Sequence, residues 1–225
     1  MNTINLCAVI LGKTVDELVQ QIAQQNNKTQ LVEIRFDYVL MRNSNYMFLL
    51  KDATKKQQVI FTCRRRDEGG KWNGDEMERI QTLYRAFDVG FFVDVELKTL
   101  REARLRLTPP MQKKTIISFH DFEKTPSLGE LRRICTQMDV HKCAIKKIAT
   151  MVKNEADRTA LYSLLTGKRK DEKLCVIGMG EMGEQTRILS PLLGGNHTYC
   201  TISSEGSAPG QLSCSEMKKI YRLLP

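Results

Sequence analysis

The sequence predicts an α/β fold, a (β/α)8 TIM barrel in a single domain spanning residues 1–225. Three observations carry that expectation. Eight apolar, β-branched-rich runs begin at residues 4, 31, 58, 91, 115, 144, 174 and 198. A helical pattern or turn follows each run, and a steady βα repeat builds an all-parallel sheet. Charged and polar residues gather at the C-terminal ends of the runs, where a barrel carries its reactive groups. A chain of 225 residues suits the compact end of that architecture, which needs at least about 200. A doubly wound open sheet is the competing arrangement.

The expected strands are 4–10, 31–36, 58–62, 91–95, 115–119, 144–149, 174–177 and 198–202. Between the first two, Thr14 caps a segment in which Val15, Leu18, Val19 and Ile22 share a face. Within the second, alternation puts Glu33, Arg35 and Asp37 on one side, an odd choice for a buried strand unless that side lines a polar site. Asn73 and Asp75 precede Met77, Ile80, Leu83, Tyr84 and Phe87 after the third run. Ser127 precedes Leu128, Leu131 and Ile134, and Asn154 precedes Ala156, Ala160 and Leu164. The last helix starts near Ser213 and carries Met217, Ile220 and Tyr221.

Composition narrows the function classes. At 41% hydrophobic and 27% charged, the chain can bury a core and is not a disordered segment. Residues 1–11 lack a basic leader and a cleavage site, and no run reaches the ~18 apolar residues of a membrane span. Seven scattered cysteines, odd in number and without a C-x-x-C pair, argue against a disulfide framework and for a reducing cytoplasm. His120, His141 and His197 lack metal-ligand spacing, so no metal site is expected. The net charge of +9 suits a nucleic-acid binder or an enzyme with an anionic substrate. Arg64-Arg65-Arg66 and Lys168-Arg169-Lys170 lack interleaved aromatics, which disfavours nucleic acid.

Several residues can carry chemistry. Lys147 sits in an apolar run, and its neighbour Lys146 must face the other way. A lysine held inside a barrel is expected to show a depressed pKa and a nucleophilic amine; the bland alternative is that both lysines snorkel from a strand end. His120 lies one step past the fifth run as a proton shuttle or a loop-bonded structural residue. Arg64 and Glu68 precede Gly69-Gly70, and the glutamate can orient an imidazole, although both can equally be surface charge. Gly178-Met-Gly180-Glu-Met-Gly183 is a literal G-x-G-x-x-G, but only 42 residues follow it, too few for the rest of a dinucleotide fold. Ser207-Ala-Pro-Gly-Gln211 is a polar turn after the last run, where barrel loops often bind anions.

Taken in order, these pieces resemble the type I 3-dehydroquinate dehydratases. The resemblance rests on Glu33-Ile-Arg35-Phe-Asp37, Thr62-Cys-Arg64 with Glu68-Gly-Gly70, Ser118-Phe-His120-Asp-Phe122, Lys147-Ile-Ala149, Gly178-Met-Gly180 with Arg187, and Ser207-Ala-Pro-Gly-Gln211. It implies a (β/α)8 barrel and cofactor-free dehydration of 3-dehydroquinate to 3-dehydroshikimate in the shikimate pathway of aromatic amino-acid biosynthesis. It further implies a Schiff base on Lys147, His120 as general acid and base, and Glu68 as the carboxylate that keeps the imidazolium accessible. Arg187 is expected to clamp the substrate carboxylate, Ser207 and Gln211 to close over it, and Glu33, Arg35 and Arg64 to meet the ring hydroxyls and their network. Phe122 and Met179 would form an apolar wall. Thr186 and Ile34 depart from the commoner serine and aromatic without removing a reactive group. A homodimer and a fusion to a shikimate dehydrogenase are arrangements the resemblance leaves open. The rivals are a class I aldolase, which also needs a Schiff-base lysine, and a basic non-catalytic scaffold.

Overall fold

The computed structural model describes residues 4–25, 28–41, 44–202 and 210–224. Eight parallel strands run β1 (Leu6–Ile10), β2 (Leu31–Arg35), β3 (Gln58–Thr62), β4 (Phe92–Glu96), β5 (Thr115–Asp121), β6 (Ile145–Met151), β7 (Leu174–Met179) and β8 (Thr198–Thr201). They are ordered β7-β6-β5-β4-β3-β2-β1-β8, so each strand lies beside its sequence neighbour and β8 returns to β1. At the β7–β8 seam, the Asn196 N–H donates to the Leu174 carbonyl at 2.9 Å and the Cys175 thiol to that of His197 at 3.3 Å. The sheet thus curls into a nearly closed (β/α)8 barrel, as expected.

Around it lie α1 (Val15–Gln25), α2 (Tyr46–Ala53), α3 (Glu76–Asp88), α4 (Leu97–Glu102), α5 (Pro109–Gln112), α6 (Leu128–Asp139), α7 (Glu155–Thr166), α8 (Glu184–Leu192) and α9 (Cys214–Leu223). The expected caps are in place. Asp75 accepts from the Met77 and Glu78 N–H groups and Asn154 from that of Asp157, while Ser127 with Glu130 and Ser213 with Glu216 form reciprocal capping boxes.

Strand alternation sorts the core into two parts. Outward residues such as Val32, Ile34, Val93, Val95, Ile148 and Val176 pack under the helices. Inward residues Cys7, Val9, Ile60, Ile116, Ile145 and Cys175 fill the barrel's floor. Lys146 points outward to Asp139, at 2.7 Å, and Glu172, whereas Lys147 points inward.

Cysteine usage departs from expectation. Cys200 and Cys214 form a disulfide; Cys7, Cys63, Cys135, Cys143 and Cys175 are free. Their sequence separation of 14 hides a near approach: a parallel bridge between Thr201 and Ser213 folds the chain back on itself, leaving the two Cα atoms 4.8 Å apart.

Arg79 of α3 has no exposed side-chain surface, and it ties the helix to the barrel mouth. It donates to the Cys63 carbonyl at 2.5 Å and the Thr99 hydroxyl at 2.6 Å, and it pairs with Glu96 at 3.0 Å. Arg79→Ala removes these bonds but leaves Glu96 paired with Arg64, so it is expected to cost about 3 kcal/mol in urea unfolding, the low end for breaking a buried pair.

Candidate active site

The upper half of the barrel interior is polar where the floor is apolar. Glu33 and Arg35 on β2, Asp94 and Glu96 on β4, Ser118 and His120 on β5, and Lys147 on β6 all follow the inward parity of their strands. A cavity opens above them, with Glu33, Arg35, Arg64, Glu68, His120 and Lys147 in its walls. Arg187, Gln211, Phe122, Met179 and Tyr199 complete the lining. Ser207 lies outside the described residues.

Lys147 is 6% exposed, and its Nζ lies 2.9 Å from Asp94 Oδ2 and 3.5 Å from Glu33 Oε1. Burial opposes the charge, but Asp94 and then Glu33 outweigh it and hold the Lys147 pKa above its ordinary value. The depressed pKa expected from burial alone is therefore overturned. The sequence reading assigned Lys147 no carboxylate, because Asp94 comes from a different strand.

Asp94 has no exposed surface and receives three partners. Arg64 Nη2 reaches its Oδ2 at 2.8 Å, Lys147 shares that oxygen, and the Ser118 hydroxyl donates to Oδ1 at 2.6 Å. Burial alone would raise its pKa, yet Arg64 and Lys147 hold it well below the usual carboxylate range. Arg64 also donates to Glu96 at 2.7 Å and to Ser118 at 2.8 Å, so its guanidinium braces the network as well as facing the cavity. Arg35 is similarly engaged, holding Asp37 with two hydrogen bonds of 2.9 and 3.0 Å, while Glu33 accepts from Thr62 at 2.8 Å.

His120 and Glu68 form one unit. Glu68 Oε2 accepts the His120 backbone N–H at 3.1 Å and lies 2.9 Å from Nδ1. Glu68 thus engages both the backbone N–H and Nδ1 of His120, and Nε2 is the ring nitrogen that this contact leaves over. Burial, with help from Arg64 and Lys147, pulls the His120 pKa well below its ordinary value. Burial and the Glu96 carboxylate push Glu68 up to about 8. The pair therefore rests with a neutral imidazole near pH 7, not with the readily accessible imidazolium expected. Glu68 is set by the turn behind it: Gly69 adopts φ 78°, and a Cβ there would lie 2.2 Å from the Phe122 ring.

Arg187, from α8, is 2% exposed, and burial lowers its pKa to about 10. The Gly-rich turn beside it is held shut by Thr186, whose hydroxyl accepts from the Gly178 N–H at 2.7 Å and donates to the Gly183 carbonyl at 2.6 Å. A Cβ on Gly183 would sit 2.5 Å from the Gly178 carbonyl carbon, and one on Gly210 would sit 2.6 Å from the Gly180 carbonyl oxygen. The G-x-G-x-x-G spacing thus serves close packing of this turn against the segment that leads to Gln211.

Asp94, Glu96 and Tyr199 were not singled out from the sequence. The signal for the first two was present: Phe92-Val-Asp94-Val-Glu96 repeats the buried-strand charge alternation seen in β2. Tyr199 reads as an ordinary strand aromatic.

The architecture is thus a parallel (β/α)8 barrel with an amine and an imidazole facing one cavity at its C-terminal mouth. Comparison with known proteins narrows the class. The chain belongs to the type I 3-dehydroquinase family, whose model matches residues 6–225, and it is a hydro-lyase of that family. It is 34% identical over 223 residues to a 3-dehydroquinate dehydratase of Coxiella burnetii, covering 99% of this chain and 94% of that protein. To the protein of that name from Methanococcoides burtonii it is 33% identical over 224 residues, covering 96% and 94%. The fold matches the crystal structure of 3-dehydroquinate dehydratase from Geobacillus kaustophilus, with TM-score 0.88, 22% identity and coverage of 99% and 91%.

Replacing Asp94 by Asn removes the strongest influence raising the Lys147 pKa. The pH midpoint for carbamoylation of Lys147 by cyanate, followed by peptide mapping, is expected to move to lower pH in Asp94→Asn.

Proposed function

We propose that the protein converts 3-dehydroquinate to 3-dehydroshikimate, a step of the shikimate pathway, through a Schiff base on Lys147. The observation that carries this reading is the inward Lys147 amine sharing a cavity with a neutral His120 whose Nδ1 is committed to Glu68. Lys147 condenses with the C3 ketone: the C=N bond forms, the C=O bond breaks and water leaves. The iminium draws electrons from the adjacent C2–H bond, and His120 Nε2 takes that proton as general base. The electron pair then expels the C1 hydroxyl, which His120 protonates. Hydrolysis of the conjugated iminium returns the amine.

The remaining residues position the ring. Arg187 is a buried guanidinium in the cavity wall, with a fork suited to two parallel hydrogen bonds to the substrate carboxylate. Gln211, in the cavity wall, contacts the substrate. Glu33, Arg35 and Arg64 meet its hydroxyls or hold those that do, and Phe122 and Met179 limit water.

Borohydride added to protein and 3-dehydroquinate is expected to leave a stable mass on the Lys147 peptide, absent in Lys147→Ala. No adduct and no growth of enone absorbance in an untreated sample would sink the reading. His120→Ala is expected to lower kcat by about 10²–10⁴-fold, the range for losing a general acid–base. Because the imidazole loses its proton at lower pH than a free histidine, the base form persists into acid. The acid limb of the kcat–pH profile is expected below the ordinary histidine value of about 6.5.

A further inference from the structure

Tyr199 stands on the strand next to the barrel seam, 5% exposed, with its ring turned into the catalytic cavity. The Lys147 Nζ lies over that ring, 4.4 Å from its centre, while Asp94 and Glu33 approach the same nitrogen at 2.9 and 3.5 Å. An aromatic face carries the negative lobes of the ring quadrupole, and its attraction for a cation is strongest where water is excluded. We propose that the face of the Tyr199 ring is a further catalytic element that holds the Lys147 nitrogen cationic, as ammonium at rest and as iminium after condensation.

The inference rests on the Schiff-base reading above. In the condensation, ammonium and ketone give iminium and water, so the positive charge stays on Nζ and over the ring. The charge is lost if the iminium sheds its proton, and a neutral imine is a poor electron sink. The ring therefore acts on the alkaline side of the reaction. Charged or titratable groups around Nζ are Glu33, Asp94, Arg64, His120, Cys175, Cys7 and His197, whose ring meets the Tyr199 ring edge-on at 4.9 Å and whose pKa burial lowers to about 3. The two carboxylates favour the cation, Arg64 opposes it, and the thiol of Cys175, pushed up to about 12 by burial, stays neutral. Tyr199 adds attraction without adding a charge that would compete for the proton.

The test is a kcat–pH profile of Tyr199→Phe and Tyr199→Leu with 3-dehydroquinate, alongside variants carrying mono-, di- and trifluorinated phenylalanine at 199. Fluorination drains the ring face while nearly preserving its shape, so a packing role would leave the series flat. Tyr199→Phe, which keeps the ring face, is expected to keep the alkaline limb in place. Tyr199→Leu is expected to lose about tenfold, with the limb at lower pH, and log kcat to fall with each fluorine. A flat fluorine series, an unmoved limb in Tyr199→Leu, or equal impairment in Tyr199→Phe would overturn the inference. Borohydride trapping of the unsubstituted protein separates the two levels. An adduct with a flat series overturns the role of Tyr199 alone, whereas no adduct overturns the Schiff-base reading beneath it.

Discussion

Two cations, the Lys147 amine and the Arg64 guanidinium, converge on one oxygen of Asp94, a carboxylate with no exposed surface. Removing each such ion from water costs several kcal/mol, and close pairing offsets that cost only when the remaining donors and acceptors are also met. Here they are. Ser118 donates to the second Asp94 oxygen, Arg64 continues to Glu96, and Glu96 meets Arg79 from outside the barrel. The chain of charges runs from the reactive amine through β4 and the end of β3 to a helix on the periphery. A shift in any member leaves a buried charge uncompensated, so the network keeps Lys147 in one place.

Much of this was legible because strand parity converts position into direction. The apolar runs gave the eight strands, and cap residues such as Asp75, Ser127, Asn154 and Ser213 gave helix starts. The shared face of Glu33 and Arg35 follows from alternation, which also lets only one of Lys146 and Lys147 face inward; the choice of Lys147 rests on the family resemblance at Lys147-Ile-Ala149. What alternation cannot supply is the partner across the barrel. Lys147 and Asp94 are separated by 53 residues, and nothing local to either announces the pair. The sign of the lysine shift was misjudged for that reason: burial was visible in the sequence, and its counter-charge was not. The His120–Glu68 pair was anticipated, but its protonation depends on Arg64, Lys147 and Glu96, which the fold brings together from separate strands.

Loops were harder to read than strands. Gly178, Gly180 and Gly183 have the spacing of a phosphate cradle, yet the contacts show a crowded turn, in which Gly183 meets the Gly178 backbone, Gly178 the Thr186 and Val152 side chains, and Gly180, at φ 80°, the Met151 sulfur. The same spacing answers two different steric demands, and only the surrounding fold tells them apart. The Cys200–Cys214 disulfide was missed by a related route. Counting cysteines speaks to compartment and framework, whereas one bond across a returning segment depends on Cα separation, which is set by the bridge between Thr201 and Ser213.

A raised lysine pKa looks at first like a poor start for a nucleophile, since attack needs the neutral amine. The difficulty eases when the charge is followed through the whole proposed cycle. Ammonium and iminium both place one positive charge at Nζ, and the neutral amine and the enamine are the passing states between them. Groups arranged for that charge, Asp94 and Glu33 with the Tyr199 ring, favour the long-lived species on either side of the condensation. The cost falls on a brief deprotonation, for which the neutral His120 imidazole is a nearby acceptor. A barrel that simply desolvated Lys147 would ease the first attack and weaken the iminium that follows. Because C–H cleavage draws on that iminium, holding the nitrogen cationic is the arrangement better matched to dehydration, and it explains why acidic residues line the wall facing the lysine.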